Sequence, residues 1–276
     1  LKIYTKNVSL PHGLSQCVVT DMVVDQKGFL WVGTFDGLNR FDGSNITIFK
    51  HIPGNTSTLP SSTIHKLFAD DDGHLWVKTN NGLSILDTRT GKVIQPGFLQ
   101  DFETTWVHRA SDNKVWLYAN KKGLLLVNTK NMRYTLFKND SHHLSENCLA
   151  LDIHKYKDMV YILGTCGDVI RFNSITNEYT LVKNTRTKNI QYDNSGIGKF
   201  GNIYFGSQHS DMLFYNTTDN SFQATPFYHQ SIKLISVKCI KYDAANDLLL
   251  LGTYGQGLFV YNYATRVLSQ HMKNGN

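Results

Sequence analysis

One pattern of turn, strand, turn and strand occurs twice near the start of this chain. Residues 25–42 read DQKGFLWVGTFDGLNRFD, and residues 70–87 read DDDGHLWVKTNNGLSILD. Gly-containing turns separate short apolar runs that are centred on Trp31 and Trp76. A unit of this size has an apolar face that it cannot bury alone, so we expect several copies to stack against one another.

The rest of the chain contains weaker copies at a regular interval. An Asp or Asn that opens a polar turn after an apolar run recurs every 41–46 residues, at Asp42, Asp87, Asn128, Asn173, Asn216 and Asn262. Apolar anchors keep the same step, at Trp31, Trp76, Trp116, Ile162, Tyr204 and Leu250. Six copies at a period of about 40–45 residues are typical of β-propeller blades.

Each copy divides into four short runs, which we name strands a to d. The runs are rich in β-branched and aromatic residues, and no segment sustains a helical period. Strands a and b are expected to be buried on both faces, and strand d to be an outer edge. The sequence predicts an all-β propeller that forms a single domain over residues 1–276. Its six visible blades are expected at approximately 14–50, 59–97, 102–138, 144–183, 189–226 and 232–270.

The start of the chain resembles a strand d without its own strands a to c. Residues 2–5 followed by Leu14 align with residues 46–49 followed by Leu59. We therefore expect residues 1–7 to be the outer strand of a further, incomplete blade. On this interpretation the chain is a truncated seven-bladed ring.

Composition excludes several classes of protein. A hydrophobic content of 41% argues against disorder. There is no apolar run of about 18 residues, which a membrane-spanning helix would need. The net charge of +6 favours anionic partners weakly, because the basic residues are scattered and form no nucleic-acid-binding arm.

The four cysteines show no metal-binding spacing. Three of them lie in predicted strands, and we expect these to be small buried apolar groups. Cys148 and Cys166 fall near the ends of two neighbouring strands, so a bridge between them is an alternative that the sequence leaves open.

The strongest motif resembles the two-component regulator propeller repeat, D-x-x-G-x-L-W-x-G-T-x-x-G-L-x-R-F-D. The first copy matches from Asp25 to Asp42 at every defined position, and in the second copy Lys78 replaces a Gly. Gly13-Leu14-Ser15 is similar to the start of the family's first blade. Later copies are degenerate, since Ile162, Tyr204 and Leu250 replace Trp.

The resemblance implies a function and a set of partners. Proteins of this family are hybrid two-component sensors of glycan-using bacteria, and the propeller is their periplasmic part. The implied partners are an oligosaccharide ligand, a second propeller and an immunoglobulin-like module of the same chain, and a second copy in a homodimer. A histidine kinase, a DNA-binding output and a membrane helix would lie elsewhere in the protein, so this region itself would contact neither nucleic acid nor membrane.

Catalytic and metal-binding motifs are not evident. Asp36, Asp152, Asp168 and Asp211 form no recognisable acid–base pair, and the adjacent His142 and His143 lack further ligands at metal-binding spacing. The three anchor Trp residues are expected to pack between blades, and the Asp25 and Asp70 turns to be solvated. We predict no catalytic residue, no metal and no cofactor, and hence a region that is not an enzyme.

The end of each blade that carries the b–c turn and the d–a linker is where propellers commonly bind ligands. In this chain it gathers polar side chains with a few aromatic and basic ones, which suit sugar rings, hydroxyls and acidic groups. The candidate ligand-binding residues are Phe35, Lys121, Lys122, Arg186, Lys188, His209 and Tyr254. The alternative is that these loops are polar because they are solvated.

The sequence thus predicts a sensor and scaffold propeller that senses a carbohydrate, with an acidic glycan favoured by the net charge. Two other interpretations remain open. One is a protein-interaction propeller without a small ligand, and the other is a propeller lyase or hydrolase.

Overall fold

The computed structural model describes residues 13–187, 189–207, 210–227 and 236–272, without the side chains of Thr105 and Met272. Within these residues the chain forms six four-stranded antiparallel sheets. The helical elements described are α1 (Phe98–Asp101) and a 3₁₀ turn (Lys199–Gly201). The expected outer strand at residues 1–7 lies outside the described residues.

The chain divides into two compact units, one ending at Lys138 and the other beginning at Asn139. The described part of the first unit holds blades 1 to 3: β1 (Val19–Val24), β2 (Leu30–Thr34), β3 (Gly37–Phe41), β4 (Ile46–Phe49), β5 (Ile64–Ala69), β6 (His74–Thr79), β7 (Gly82–Asp87), β8 (Val93–Ile94), β9 (Thr104–Ser111), β10 (Lys114–Ala119), β11 (Gly123–Asn128) and β12 (Tyr134–Lys138). The described part of the second unit holds blades 4 to 6: β13 (Ala150–Tyr156), β14 (Met159–Gly164), β15 (Val169–Asn173), β16 (Glu178–Val182), β17 (Asn194–Ile197), β18 (Ile203–Gly206), β19 (Leu213–Asn216), β20 (Ser221–Gln223), β21 (Val237–Asp243), β22 (Leu248–Thr253), β23 (Gly257–Asn262) and β24 (Val267–Met272).

Every described sheet follows the order of the chain, with strands a, b, c and d as successive neighbours. The predicted all-β fold of four-stranded propeller blades is confirmed. That the chain is one domain, and that it belongs to a seven-bladed ring, stay predictions.

Asp or Asn residues fix the turn between strands c and d in all six sheets, as the sequence pattern predicts. In blade 1 the Asp42 carboxylate accepts hydrogen bonds from the amides of Ser44 and Asn45. The same bond to the amide two residues ahead is made by Asp87, Asn128, Asn173, Asn216 and Asn262. A short polar side chain that mimics a backbone turn explains why these positions keep their period.

The Trp anchors of blades 1 and 2 are buried between neighbouring sheets, as expected. Trp31 is fully buried in a cluster with Leu38, Ile64 and Leu67. Trp76 packs in a second cluster with residues of blade 3, which includes Val115.

The carboxylates that precede these Trp residues correct a prediction. Asp25 and Asp70 are buried, whereas the sequence predicts that their turns are solvated. The Trp31 indole donates to the Asp25 carboxylate at 2.8 Å, and the amides of Lys27 and Phe29 donate to its other oxygen. The carboxylate therefore ties the a–b turn to the core of the blade. We call this arrangement the Trp–Asp link.

Strand β1 also departs from expectation. The sequence predicts that strand a is buried on both faces, but Met22 and Val24 are 60% and 59% exposed. Both side chains lie on the face of β1 opposite to Val23, which packs with Trp31. The exposure of these two side chains shows that this face of β1 is open to solvent.

The cysteines divide into two kinds. Cys148 and Cys166 form a disulfide, which settles the alternative that the sequence left open. Cys17 and Cys239 are exposed and lie outside the disulfide, so for Cys239, which is in a strand, the expectation of burial is wrong. Cys17 precedes the first strand, and Cys239 is on edge strand β21.

Candidate functional site

The b–c end of each blade is built by a short turn and the start of strand a. In blade 1 the Thr34 hydroxyl donates to the Gly37 carbonyl and accepts from the Asp36 amide. Thr79 and Thr253 make the equivalent bonds in blades 2 and 6. The Thr that ends strand b thus closes the turn from inside, and the side chains at the tip of the turn are exposed.

Strand a carries a β-bulge close to this end in five of the described sheets. In the first unit the bulges fall at residues 19–21, 64–66 and 104–106, and in the second at 150–152 and 237–239. A bulge changes the direction of the side chains beside it and is common next to binding sites. At the first bulge the Asp21 carboxylate accepts the amide of Leu67, which joins blade 1 to blade 2.

Three candidate residues lie at the b–c end of the first unit. Phe35 is half exposed in the β2–β3 turn, where its carbonyl accepts the Thr63 hydroxyl. Lys121 and Lys122 are exposed in the β10–β11 turn. The next residue to Phe35, Asp36, forms an exposed ion pair of 2.7 Å with Lys50.

A lysine that the sequence analysis noted but did not select lies at the same end. Lys78 is half-buried near the end of β6 and is directly opposite Lys66 of β5. Burial lowers the pKa of the Lys78 ammonium, and the Glu103 carboxylate partly opposes this effect. Glu103 in turn accepts a hydrogen bond of 3.2 Å from the Asn120 side chain. The signal in the sequence was the replacement of a motif Gly by Lys.

Two candidate residues lie at the b–c end of the second unit. Tyr254 is 75% exposed in the β22–β23 turn, and its amide donates to the Ser236 carbonyl. Arg186 is exposed in the loop after β16, where the Asn184 side chain accepts its amide. Lys188 and His209, the other two candidates, lie outside the described residues.

The candidates do not form a single preassembled cluster within the described part of the chain. No hydrogen bond, ion pair or ring contact described there joins any two of Phe35, Lys121, Lys122, Arg186 and Tyr254. They are separate, exposed side chains on ordered turns.

A Ser–His–Asp group in the second unit does not have the geometry of a hydrolase triad. The Ser195 hydroxyl lies 3.0 Å from His154 Nε2 and donates to the Asp152 carboxylate at 3.1 Å. In a triad the carboxylate holds the other ring nitrogen of the His. Here the Ser195 hydroxyl contacts both His154 and Asp152, so the group joins β13 to β17.

Asp168 also has a structural role. Its buried carboxylate accepts hydrogen bonds from the Ser145 hydroxyl and the Asn184 amide, so it joins two loops to the β14–β15 turn. Its carboxylate and the sulfurs of Cys148 and Cys166 are close enough to surround a metal ion. The disulfide removes the two thiolates that such an ion would need.

No helix in the described part of the chain is long and apolar enough to cross a membrane.

Two stretches of the chain match the two-component regulator propeller family, at residues 13–36 and 58–81. They cover the starts of blades 1 and 2, and the resemblance predicted from the sequence is confirmed there. The chain is also 47% identical over 47 residues to Histidine kinase P4 of Formosa agariphila. That alignment covers 17% of this chain and 3% of the relative.

Two solved structures from B. thetaiotaomicron share the fold. An extracellular domain assigned to a hybrid two component system has a TM-score of 0.75 and 16% identity, over 98% of this chain and 37% of that one. An extracellular domain assigned to a one component system has a TM-score of 0.69 and 18% identity, over 93% and 36%. The chain therefore spans little more than a third of these structures, and the likeness shows the β-propeller fold.

Proposed function

We propose that this chain is the sensor propeller of a two-component signalling protein and that its ligand is an oligosaccharide. The observation that carries the proposal is the match of residues 13–36 and 58–81 to two-component regulator propeller repeats. A curated relative that matches over 47 residues is a histidine kinase, which fits a signalling role. On this proposal the kinase, a second propeller, an immunoglobulin-like module and a membrane helix belong to other parts of the protein, which acts as a homodimer.

The proposed location is outside the cytoplasmic membrane. The Cys148–Cys166 disulfide supports it, because structural disulfides persist in oxidising compartments and are rare in the cytosol. The two solved structures are also extracellular domains.

The proposed ligand follows from the chemistry of the b–c ends. Phe35 and Tyr254 offer exposed aromatic rings to the apolar face of a sugar. Lys121, Lys122 and Arg186 offer cations to acidic groups, and the net charge of +6 would draw an acidic glycan towards the protein. Lys188 and His209 belong to the same proposal.

Calorimetry on the purified chain tests the proposal. We expect heat of binding with uronate-containing tetrasaccharides, and affinity that falls as salt rises, because charge contributes to association. Replacement of Tyr254 or Phe35 by Ala should weaken binding about tenfold, the loss expected for one stacking contact. Ile175→Ala is the control, since Ile175 is an exposed apolar residue in the β15–β16 turn, at the other end of its blade.

The same experiment includes a charge control. Arg186→Ala should weaken binding, whereas Arg89→Ala, in the exposed β7–β8 turn, should leave it unchanged. Absence of heat with every acidic and neutral oligosaccharide tried would remove the carbohydrate part of the proposal.

A second candidate function is docking of another protein, and one observation favours it. The open face of β1 exposes Met22 and Val24, and Ile48 of β4 lies on the same face of the sheet and is 44% exposed. Exposed apolar side chains on one sheet face are typical of an interaction surface. If Met22→Lys abolishes self-association or partner capture and leaves oligosaccharide binding intact, the face serves that second function.

A further inference from the structure

Blade 4 brings three atoms that can bind a metal together beside its b–c turn. The sulfurs of Cys148 and Cys166 and a carboxylate oxygen of Asp168 all lie within 4.8 Å of one another. Cys148 precedes β13, and the other two residues belong to the β14–β15 turn. We call these three residues the Cys–Cys–Asp group. In the disulfide form neither sulfur is a thiolate, so the group can hold an ion only after reduction.

The atoms of the Cys–Cys–Asp group are close to the spacing that zinc requires. Zn²⁺ binds thiolate sulfurs at about 2.3 Å and carboxylate oxygens at about 2.0–2.2 Å in a tetrahedron, so neighbouring ligand atoms are about 3.5–3.8 Å apart. The two sulfurs are bonded to each other in the disulfide, and they must move apart once that bond is broken. Their Cα atoms are 5.3 Å apart, so rotation of the two side chains covers the required distance.

The surroundings of Asp168 suit a metal-binding carboxylate. The side chain is 3% exposed, and it accepts hydrogen bonds from the hydroxyl and amide of Ser145 and from the amide of Asn184. These donors are neutral, and within the described residues the carboxylate forms no ion pair. A carboxylate can accept at about four positions, so one remains for a cation. Hydrogen bonds of this kind orient carboxylates that bind metals.

The two sulfurs differ in accessibility. Cys148 is buried, whereas Cys166 is half-buried in the turn. A thiol reductant would therefore attack the sulfur of Cys166, and Cys148 would leave as a thiolate. The Cys166 amide donates to Cys148 Sγ at 3.2 Å, and a hydrogen bond of this kind favours the charged form of a sulfur.

We propose that the Cys–Cys–Asp group becomes a zinc site when a small-molecule thiol reduces the disulfide. Two thiol groups of the reductant supply two electrons and two protons, the Cys148–Cys166 bond breaks, and the reductant leaves as its own disulfide. Zn²⁺ then displaces one proton from each cysteine thiol and binds the two thiolates and the Asp168 carboxylate, with water in the fourth position. Two thiolates select a soft metal over Ca²⁺ or Mg²⁺. The inference does not depend on the proposed carbohydrate-sensing function.

Cobalt binding to the reduced chain tests the proposal. The purified chain is treated with dithiothreitol under argon, the reductant is removed by gel filtration, and Co²⁺ is added as a spectroscopic substitute for Zn²⁺. We expect one equivalent of Co²⁺ to give a thiolate-to-metal charge-transfer band and the visible bands of a tetrahedral ion, and Zn²⁺ to abolish both. The oxidised chain is the matched control. It should show neither band, because it has the same sequence but no thiolate at the two positions.

Three variants locate the metal. Cys166→Ser should weaken Co²⁺ binding at least about a hundredfold and Asp168→Asn at least about tenfold, because each removes a ligand and loss of an outer contact alone costs about 10–100-fold. Cys239→Ser should bind as the wild type does, since Cys239 is exposed and outside the disulfide. Absence of the charge-transfer band in the reduced wild type overturns the proposal. Binding by Cys166→Ser or Asp168→Asn that equals the wild type also overturns it.

Alkylation of the wild-type chain decides the case in which Cys166→Ser does not fold. The reduced chain is treated with iodoacetamide with and without Zn²⁺, and each cysteine is followed by mass spectrometry of its peptide. Zn²⁺ should slow alkylation of the two disulfide cysteines at least about tenfold, because a thiolate bound to a metal is a weaker nucleophile. Alkylation of the exposed Cys17 and Cys239 should be unchanged. Equal rates at Cys148 and Cys166 with and without Zn²⁺ overturn the proposal.

Discussion

In blades 1 and 2 a buried carboxylate holds the Trp of strand b, whereas blade 4 has Ile162 at that position and a disulfide beside the end of the strand. All three blades nevertheless have the same strand order and the same Asx turn between strands c and d. The comparison shows that the Asx turns specify the four-stranded sheet. The contacts that fix the two ends of the sheet can differ between blades. The strength of a repeat motif is therefore a poor guide to the regularity of its blade.

The largest effect is expected from removal of a Trp–Asp link. Asp25→Ala leaves the Trp31 indole and the amides of Lys27 and Phe29 without their acceptor in a buried place. We expect a loss of about 3–5 kcal/mol in the free energy of unfolding, since each orphaned donor costs about 1–3 kcal/mol and water can reach part of the turn.

Asp42→Ala is the control for the link, because Asp42 also accepts two amides but is exposed. It should lose only about 1 kcal/mol. Equal losses in urea unfolding of the two variants would mean that burial of the carboxylate contributes nothing.

The next effect concerns the disulfide of blade 4. Cys148 and Cys166 are 18 residues apart, and closure of such a loop is worth about 3 kcal/mol in the chain-entropy model. Reduction, or Cys166→Ser, should increase hydrogen exchange around β13 to β15 and leave blades 1 and 2 unchanged. The control is Cys239→Ser, which changes an exposed cysteine outside the disulfide. Faster exchange in blade 1 upon reduction would contradict this local role.

A smaller effect distinguishes two glycines at equivalent motif positions. A Cβ at Gly164 would lie 2.4 Å from Cys148 Sγ, whereas at Gly252 the nearest atom is Cys239 Cβ at 3.3 Å. Gly164→Ala should therefore cost about 1–3 kcal/mol through overpacking, and Gly252→Ala less than about 1 kcal/mol. Thermal unfolding of the two variants measures the difference. A larger loss of stability in Gly252→Ala than in Gly164→Ala would show that the disulfide can shift at little cost in free energy.

The smallest expected effect is a pH dependence of stability that blade 2 has and blade 1 lacks. The hydrogen bond to Asp70 raises the pKa of His74 above its ordinary 6.5, although burial opposes the shift. The His74 contribution to stability is therefore complete below pH 6.5 and is lost as the pH rises through the raised value. For Asp70, burial opposes ionisation, but the hydrogen bonds from His74 and Trp76 together outweigh it and keep its pKa below 3.8. The Asp70 contribution is present above pH 3.8 and is lost as the pH falls through the lowered value.

Blade 1 has Phe29 where blade 2 has His74, so His74→Phe copies blade 1. Wild type should lose less than about 1 kcal/mol between pH 6.5 and 8.5, because solvent near the half-buried ring screens the pair. The His74→Phe variant should lose no stability over the same pH range. Unfolding curves at several pH values measure this, and the same slope in both proteins would exclude His74 as the titrating group.

The fold could be predicted from the sequence because the residues that specify its turns act locally. Asp42 and Asn173 bond to amides two residues ahead, so the periodic residue is itself the one that makes the turn. The burial of Asp25 was missed, because its partner Trp31 is six residues away and an Asp-Gly turn has the composition of a solvated loop. The exposure of Met22 was missed for a similar reason, since an apolar strand gives no sign of which of its faces is exposed.

The candidate site was less accessible to sequence reasoning. Tyr254 and Arg186 could be placed on exposed turns from the repeat alone, and the structure has them there. The position of Lys78 opposite Lys66 depends on the register of β5 against β6. A bulge at residues 64–66 sets that register, and no pattern in the sequence predicts the bulge.

The chain-order sheets have a consequence for how such a protein is made and how it changes. Because each blade uses one continuous segment, it can complete its hydrogen bonds while the next segment is still leaving the ribosome. A genetic duplication or deletion of one repeat would likewise add or remove a whole sheet and leave the strand connections of the neighbouring sheets unchanged.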